Sequence, residues 1–240
     1  MAAPKTTIKE NAKRLSPVVE NYLLSLYILR EEQTNPVPSQ LAAYIRMLPA
    51  SEELGTSLPT ILATLRRMSR DGLININSRK EIHLTATGDR IASAITRRHR
   101  LAERLVVDIL GVELSQADQE AHMLEHGITS FLEEYICKAV NNPTTCPFGK
   151  PIPNSGYKPP TGSVLSMDKT KAGKKYLVKS IPDEDSRLVK YLSNNNLLPG
   201  NSIQILEIGD YRDVITFKTS SSESALGFGS ASRIYLVELN

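Results

Sequence analysis

The chain has 240 residues, of which 40% are hydrophobic and 23% are charged, a composition typical of a folded protein with one to three domains. Its longest apolar runs, such as 105–110, are far shorter than the roughly 18 to 20 residues that a membrane span requires. The first 15 residues are basic and lack an apolar core, so we expect no secretion signal and no membrane partner. The two cysteines, Cys137 and Cys146, fit a reducing compartment. We therefore expect a cytoplasmic protein.

The net charge of +3 is distributed unevenly along the chain. Residues 1–100 contain 15 Lys and Arg against 9 Asp and Glu, whereas residues 101–240 contain 14 against 17. Such an asymmetry is expected where one part of a chain meets a polyanion such as DNA. A chance surplus of solvated basic side chains explains the charges equally well, so charge alone does not decide between the two.

The first 85 residues show the pattern of three helices followed by a β-hairpin. Ser16-Pro17 supplies a cap with proline in the first helical turn, and Asp71-Gly72 supplies a helix stop. This order of elements is that of a winged helix-turn-helix, a fold that reads DNA. The predicted helices span 16–30, 40–47 and 57–70, and the predicted strands span 73–77 and 81–85.

The rest of the chain divides into a helical domain, a linker and a small β-domain. Apolar residues recur at helical spacing over 89–110, and Ser115 caps a helix running to about Phe131, with 132–140 continuing or following it. Asn, Pro, Thr and Gly dominate 141–160, which favours an ordered-to-flexible linker. The predicted C-terminal barrel contains strands at 176–181, 202–208, 214–218 and 232–238 and a helix at 186–194.

The predicted fold is therefore mainly α with a small β component. We place a winged helix-turn-helix domain at 1–85, a helical metal-binding and dimerisation domain at 86–150, a linker at 151–163 and an SH3-like, FeoA-like barrel at 164–240.

Three of the four histidines lie between residues 99 and 126, mixed with carboxylates. Their spacing places two such residues on one face of the first long helix and four on one face of the next. Two antiparallel helices would bring all six together. Imidazoles with carboxylates suit Fe²⁺, Mn²⁺, Co²⁺, Ni²⁺ or Zn²⁺, and ion-paired polar helix faces are the alternative. The six residues are His99, Glu103, Asp118, His122, Glu125 and His126.

One further interpretation of these residues is enzymatic. The segment His122–His126 matches the H-x-x-E-H pattern in which two histidines bind zinc and the glutamate is the general base of a peptidase. Such a peptidase needs a third ligand and a substrate cleft, and nothing else in the sequence indicates either. Since the DNA-binding pattern has no place in that interpretation, we expect no enzymatic activity.

Several segments, in the correct order, resemble the diphtheria toxin repressor family of metal-dependent transcription regulators, in its long three-domain members. Thr96–Leu105 resembles the signature segment of the family, and Leu188–Leu206, centred on Leu198-Pro199-Gly200, resembles its FeoA/SH3-like domain. The other matching segments are Pro59-Thr60 and Arg67–Leu73, similar to the recognition helix and its exit, and Asn141–Pro153, similar to the segment after the dimerisation helices.

The resemblance implies a homodimer that binds double-stranded operator DNA near metal-uptake or iron-storage genes when a divalent metal is bound, with no organic cofactor. We expect Fe²⁺ to be favoured over Mn²⁺, with Co²⁺, Ni²⁺ and Zn²⁺ able to substitute. The ancillary metal site of the family carries over to His99, Glu103 and Asp118, with Asp185 as the closest position for a carboxylate from the C-terminal domain. The primary site carries over to Asn21, His122, Glu125 and His126.

The resemblance also implies a DNA-reading surface. Leu62 and Ala63 stand where relatives carry polar residues, so they can contact thymine methyls but cannot form bidentate hydrogen bonds. Residues 48–56 look like an insertion between the two helices of the DNA-reading motif. The substitutions at positions 21, 118 and 122 leave one alternative, a winged-helix protein with a structural or vestigial metal site. The predicted DNA contacts are Ser57, Pro59, Thr60, Leu62, Ala63, Arg66, Arg67, Arg79 and Lys80.

Overall fold

The computed structural model describes residues 15–31, 35–48 and 54–239. The first elements are three helices and a hairpin, in the predicted order. None of the helices described is both long and apolar enough to cross a membrane. The bounds are α1 Pro17–Glu31, α2 Pro38–Ile45, α3 Leu58–Arg70, β1 Ile74–Ile76 and β2 Ile82–Leu84.

Local sequence explains where the third helix begins and ends. Ser57 caps α3, since its side chain accepts a hydrogen bond from the Thr60 N–H at 3.3 Å. Gly72 follows the helix with φ +71°, a conformation that favours glycine. β1 and β2 pair antiparallel, with Ile74 opposite Leu84. The predicted winged motif is therefore confirmed, and residues 49–53 of the predicted insertion lie outside the described residues.

The middle of the chain contains α4 Ala86–Arg104, α5 Leu114–Glu125 and α6 Ser130–Ala139. α4 leads into a π-helical turn, Leu105–Ile109, so the helix predicted over 89–110 begins earlier and ends in a wider turn. The expectation of one helix from Ser115 to about Phe131 is wrong, because the chain leaves α5 after Glu125. Thr129 starts α6, since its hydroxyl accepts the Leu132 N–H at 3.2 Å.

The segment from residue 141 to residue 153 packs between the helices and the C-terminal sheet. Cys146 and Phe148 are fully buried, and the Phe148 carbonyl accepts the Ile181 N–H at 3.0 Å. Thr145 and Pro151 form an isolated antiparallel bridge. The turn-forming residues that favoured a linker here support a tight, packed loop instead.

The C-terminal region forms one sheet of six antiparallel strands in the order β3-β8-β4-β5-β6-β7. No pairing joins β3 to β7 within the described ranges. The predicted helix at 186–194 is confirmed, whereas β3 and β7 were not predicted. The elements are β3 Val164–Ser166, β4 Lys175–Ser180, α7 Ser186–Asn194, β5 Ser202–Gly209, β6 Val214–Lys218, β7 Glu223–Gly227, α8 Phe228–Ala231 and β8 Tyr235–Glu238.

Candidate metal centre

Histidines and carboxylates from α4 and α5 lie buried side by side. His99 on α4 is 2% exposed and Glu103 is fully buried, while on α5 His122 is 2% exposed and Glu125 is 1% exposed. Buried charged groups are rare unless they are paired or bind an ion, because removing them from water costs free energy. Their common burial marks this helix pair as the candidate centre.

His99 lies in the middle of the cluster and contacts carboxylates through both ring nitrogens. Its Nδ1 is 2.7 Å from Glu125 Oε2, and its Nε2 is 3.3 Å from both Glu103 Oε1 and Asp118 Oδ1. The rings of His99 and His122 are 4.5 Å apart between centroids. His99 therefore connects the residues of the two predicted sites.

Asp118, which was predicted for the ancillary site, also lies next to His122 of the predicted primary site. Its Oδ1 lies 3.8 Å from His122 Nε2. One ligand atom from each of His99, Asp118 and His122 lies within 4.8 Å of the other two, a spacing that a single ion can span. The predicted ancillary and primary sites thus form one continuous cluster.

The first helix reaches this cluster through Glu20. Its Oε2 is 2.8 Å from His126 Nδ1, and His126 Nε2 is 3.7 Å from Glu125 Oε1. The neighbouring Asn21, predicted as the ligand from this helix, is 1% exposed. Glu20 was not among the predicted ligands, although an acidic residue beside Asn21 in the first turn of α1 was a visible signal. A direct contact therefore joins the winged domain to α5.

A carboxylate from the C-terminal region reaches the other end of the cluster. One ligand atom from each of Glu103, Asp118 and Asp183 lies within 4.8 Å of the other two. Asp185 instead caps α7, where its Oδ1 accepts the Leu188 N–H at 3.0 Å. The structure therefore places Asp183, and not the predicted Asp185, beside Glu103 and Asp118, because the chain turns away into α7 before Asp185.

The buried thiol of Cys146 lies near the carboxylates of Glu103 and Asp183. Burial raises the pKa of Cys146 well above its ordinary value, and the negative charge of Glu103 raises it further. The thiol therefore stays protonated in the metal-free protein. The sequence predicts a loop around Cys146 and gives no sign that this residue approaches Glu103, which is 43 positions earlier in the chain.

The carboxylates control the protonation of the histidines. Burial alone lowers the pKa of His99, but the charges of Glu103 and Glu125 outweigh it and hold this pKa well above its usual range. The pKa of His122 is also raised, because Asp118 outweighs the effect of burial. Burial raises the pKa of Glu125, yet His99 and His122 lower it to about 2. In the metal-free cluster, imidazolium groups therefore balance carboxylates.

The cluster nevertheless leaves buried ligand atoms without hydrogen bonds. Within the described ranges these atoms are His99 Nε2, His122 Nδ1, Glu125 Oε1 and both carboxylate oxygens of Glu103. Four of these five atoms have a charge contact at 3.3–3.8 Å, but a bound ion would supply the bond that each of them lacks. Nitrogen and oxygen atoms of this kind are ligands of Fe²⁺, Mn²⁺, Co²⁺, Ni²⁺ and Zn²⁺. The residues present thus fit a divalent metal ion.

The predicted DNA contacts lie on the surface of the winged domain. The face of α3 and the tip of the hairpin present them outwards, with only Leu62 half-buried. Asn77 shapes the tip, since its Oδ1 accepts the N–H groups of Arg79 and Glu81, each at 2.9 Å. The other exposed positions are Ser57, Pro59, Thr60, Ala63, Arg66, Arg67, Arg79 and Lys80.

Comparison with protein-family models finds two matches, which together follow the middle and C-terminal parts of the fold. Residues 85–154 match the iron dependent repressor, metal binding and dimerisation domain, and residues 165–238 match the FeoA domain.

Among curated proteins, the chain is similar to the iron-dependent repressor IdeR of Mycobacterium leprae, with 40% identity over 139 residues, 58% of this chain and 56% of that protein. It is 37% identical to the diphtheria toxin repressor of Corynebacterium diphtheriae over 141 residues, 59% of this chain and 58% of that protein. The matched regions thus span a little over half the length of these relatives.

Solved structures extend the likeness to nearly the whole chain. A manganese-dependent transcriptional repressor in complex with manganese has a TM-score of 0.80 at 26% identity, covering 92% of this chain and 100% of that chain. The structure of the manganese regulator SloR has a TM-score of 0.72 at 24% identity, covering 94% and 100%. The two matched domains and the shared fold therefore make this chain similar to iron-dependent repressors and to a manganese-dependent transcriptional repressor.

Proposed function

We propose that this protein is a transcription regulator, most simply a repressor, that binds operator DNA as a homodimer when a divalent metal ion is bound. The observation that carries this proposal is the contact of Glu20 with His126, because it joins the DNA-reading domain to the buried cluster at 2.8 Å. The curated relatives include an iron-dependent repressor and a diphtheria toxin repressor, and a manganese-dependent repressor shares the fold. Nothing in this function requires catalysis.

The cluster supplies the means of control. A divalent ion, when bound, supplies positive charge that offsets the carboxylates and satisfies the unpaired ligand atoms. The residues placed to hold an ion in either of the two predicted sites come from α1, α4, the end of α5, the loop around Cys146 and the loop before α7, so binding favours the arrangement in which they converge. Such differential binding shifts the population toward that arrangement. The proposed ligands are Glu20, Asn21, His99, Glu103, Asp118, His122, Glu125, His126, Cys146 and Asp183.

We propose Fe²⁺ as the preferred ion over Mn²⁺. The cluster is rich in imidazole, and the buried thiol of Cys146 beside Glu103 adds a donor that suits Fe²⁺, Co²⁺ or Zn²⁺ better than Mn²⁺. A coordinating thiol must lose its proton, so metal binding at this end should release one. Co²⁺, Ni²⁺ and Zn²⁺ are expected to substitute.

The proposal is tested by DNA binding after the protein has been stripped with a chelator. Each divalent metal is titrated at controlled free concentration, with Fe²⁺ kept anaerobic, against DNA selected by the metal-loaded protein from random sequences. We expect tight binding only with metal, and activation by Fe²⁺ at a lower free concentration than by Mn²⁺. DNA affinity unchanged by chelator would support a structural or vestigial metal site, and activation by Mn²⁺ alone would reverse the metal preference.

The dimer is expected to form through the exposed apolar faces of α5 and α6. Phe131 is 72% exposed and Tyr135 is 56% exposed, and their rings are 4.8 Å apart. Apolar faces of this kind are buried in isologous dimer interfaces. Tyr135→Glu should therefore lower the mass in solution from twice 26.5 kDa toward the monomer value. Tyr211→Glu, at a fully exposed tyrosine of the C-terminal domain, should leave it unchanged.

Two neighbouring carboxylates allow a matched test of the C-terminal contribution. Asp183→Asn removes a proposed ligand charge and should weaken metal binding about tenfold or more, since even outer-shell changes commonly cost this much. Asp185→Asn should leave metal affinity unchanged, because asparagine caps a helix as well as aspartate. Isothermal titration with Mn²⁺ measures both, and equal affinities in the two variants would contradict the assignment of Asp183.

A further inference from the structure

A cavity of about 770 Å³ lies between the winged domain and the C-terminal sheet, apart from the metal cluster. The end of α1 forms one wall through Ile28 and Glu31, and β3, the end of β4 and the start of β8 form the opposite wall. Its volume falls within the roughly 300 to 1,000 Å³ of typical small-molecule sites. A ligand held here would touch both domains.

Most charged groups of the cavity wall already have partners. Lys150 pairs with Asp183 at 2.7 Å. Arg233 pairs with Glu184, and the buried Arg100 pairs with Glu31. These pairs neutralise one another, so they do not determine which ligand the cavity accepts.

Two half-buried groups of opposite charge in the wall are not matched, and the exposed Lys169 of the wall also has no ion pair within the described ranges. Lys179 is half-buried and has no ion pair within the described ranges, and burial lowers its pKa. Across the described residues, the buried Oδ1 of Asp168 has no hydrogen-bond partner. The two side chains do not pair with each other either. The hydroxyl groups of Ser166 and Ser180 also line the cavity and can serve either as donors or as acceptors.

We propose that this cavity binds a small organic acid that also carries a hydrogen-bond donor, namely an amino acid or a hydroxy acid. The ligand carboxylate pairs with Lys179, and its ammonium or hydroxyl group donates to Asp168. This arrangement satisfies both groups at once, which an inorganic anion without a hydrogen-bond donor, such as chloride or sulfate, cannot do because it has no donor for Asp168. Charge-assisted hydrogen bonds of this kind are among the stronger polar contacts.

A ligand bound in this cavity would be a second regulatory ligand, in addition to the metal ion. Because the ligand contacts the end of α1 as well as the C-terminal sheet, it stabilises one relative orientation of the two domains. The same orientation is the one that the Glu20–His126 contact holds, so the ligand and the metal should favour each other's binding, and this coupling is reciprocal. The binding itself requires neither metal nor DNA, so its test stands apart from the proposed regulator function.

The experiment measures binding of the common L-amino acids, L-malate and L-lactate to the metal-free full chain by ligand-observed NMR and isothermal titration. We expect at least one of them to bind with a Kd of about 1 mM or tighter. Lys179→Met should weaken that binding about tenfold or more. Asp168→Asn should weaken an amino acid more than a hydroxy acid, since it removes the charge facing the ammonium group, and this difference identifies the ligand class.

Lys190→Met is the matched control, because Lys190 is exposed on α7 and does not line the cavity. It should bind the ligand as the parent does, and thermal unfolding of each variant confirms that the fold is retained. Two results overturn the proposal: no saturable binding by any compound tested, or unchanged affinity in both Lys179→Met and Asp168→Asn.

Discussion

Replacing His126 with alanine should abolish the metal-dependent part of operator binding while leaving the basal affinity for DNA. His126, the residue directly after α5, contacts Glu20 Oε2 of α1 at 2.8 Å, and it also lies 3.7 Å from Glu125 Oε1. Its removal takes away a proposed ligand and the link between cluster and DNA-reading domain together. We expect metal affinity to fall by at least about 10- to 100-fold.

The basal affinity should survive because it has a different physical origin. Exposed basic groups on α3 and the hairpin, such as Arg66, Arg79 and Lys80, neutralise phosphates and release counterions. This part of the binding depends on salt and on no metal ion. His126→Ala should therefore bind DNA at all metal concentrations as the chelator-treated parent does, with the same dependence on salt.

Glu120→Ala provides the control, since Glu120 is exposed on the same helix and lies outside the cluster. It should respond to metal as the parent does. Both proteins are compared by fluorescence anisotropy with labelled operator over a range of free Mn²⁺ and anaerobic Fe²⁺. If His126→Ala bound operator as tightly as the parent at every metal concentration, the proposed switch would be wrong.

Much of the cluster could be predicted because helical periodicity is a local property of the sequence. His99 and Glu103 lie one turn apart on α4, and His122 and Glu125 share a face of α5, so a two-helix pairing was enough to bring them together. The structure indeed places these side chains in contact. Their roles as ligands remain predictions.

The remaining residues of the centre could not be found in this way, because tertiary packing selects them. The choice between Asp183 and Asp185 depends on where the chain enters α7, which no periodic pattern records. Cys146 reaches Glu103 only because the loop around it packs into the core. For the same reason the short strands β3 and β7 were missed, since three to five residues with few large apolar side chains carry little local signal.

Metal affinity should depend steeply on pH, because the histidines of the cluster hold protons in the metal-free protein. The pKa values of His99 and His122 are both raised, since the surrounding carboxylates outweigh the effect of burial. Each proton must leave before its nitrogen can bind an ion. While both imidazoles are protonated, metal affinity should therefore rise about 100-fold for each pH unit, about tenfold for each histidine.

The stability of the metal-free protein should change in the opposite direction. A histidine whose pKa is raised on folding contributes stability that is fully present below its unfolded pKa, and this contribution is lost as the pH rises through the folded value. From about pH 6 upwards, near the ordinary histidine pKa, the free energy of unfolding of the metal-free protein should fall, while the increment that saturating Mn²⁺ adds should grow. Thermal unfolding with and without Mn²⁺, from mildly acidic to mildly alkaline pH, measures both trends.

The variant His83→Gln, at the histidine outside the cluster, should show both trends unchanged, whereas His99→Gln should reduce both trends. Parallel pH profiles with and without metal would mean that the protons of His99 and His122 do not compete with the ion.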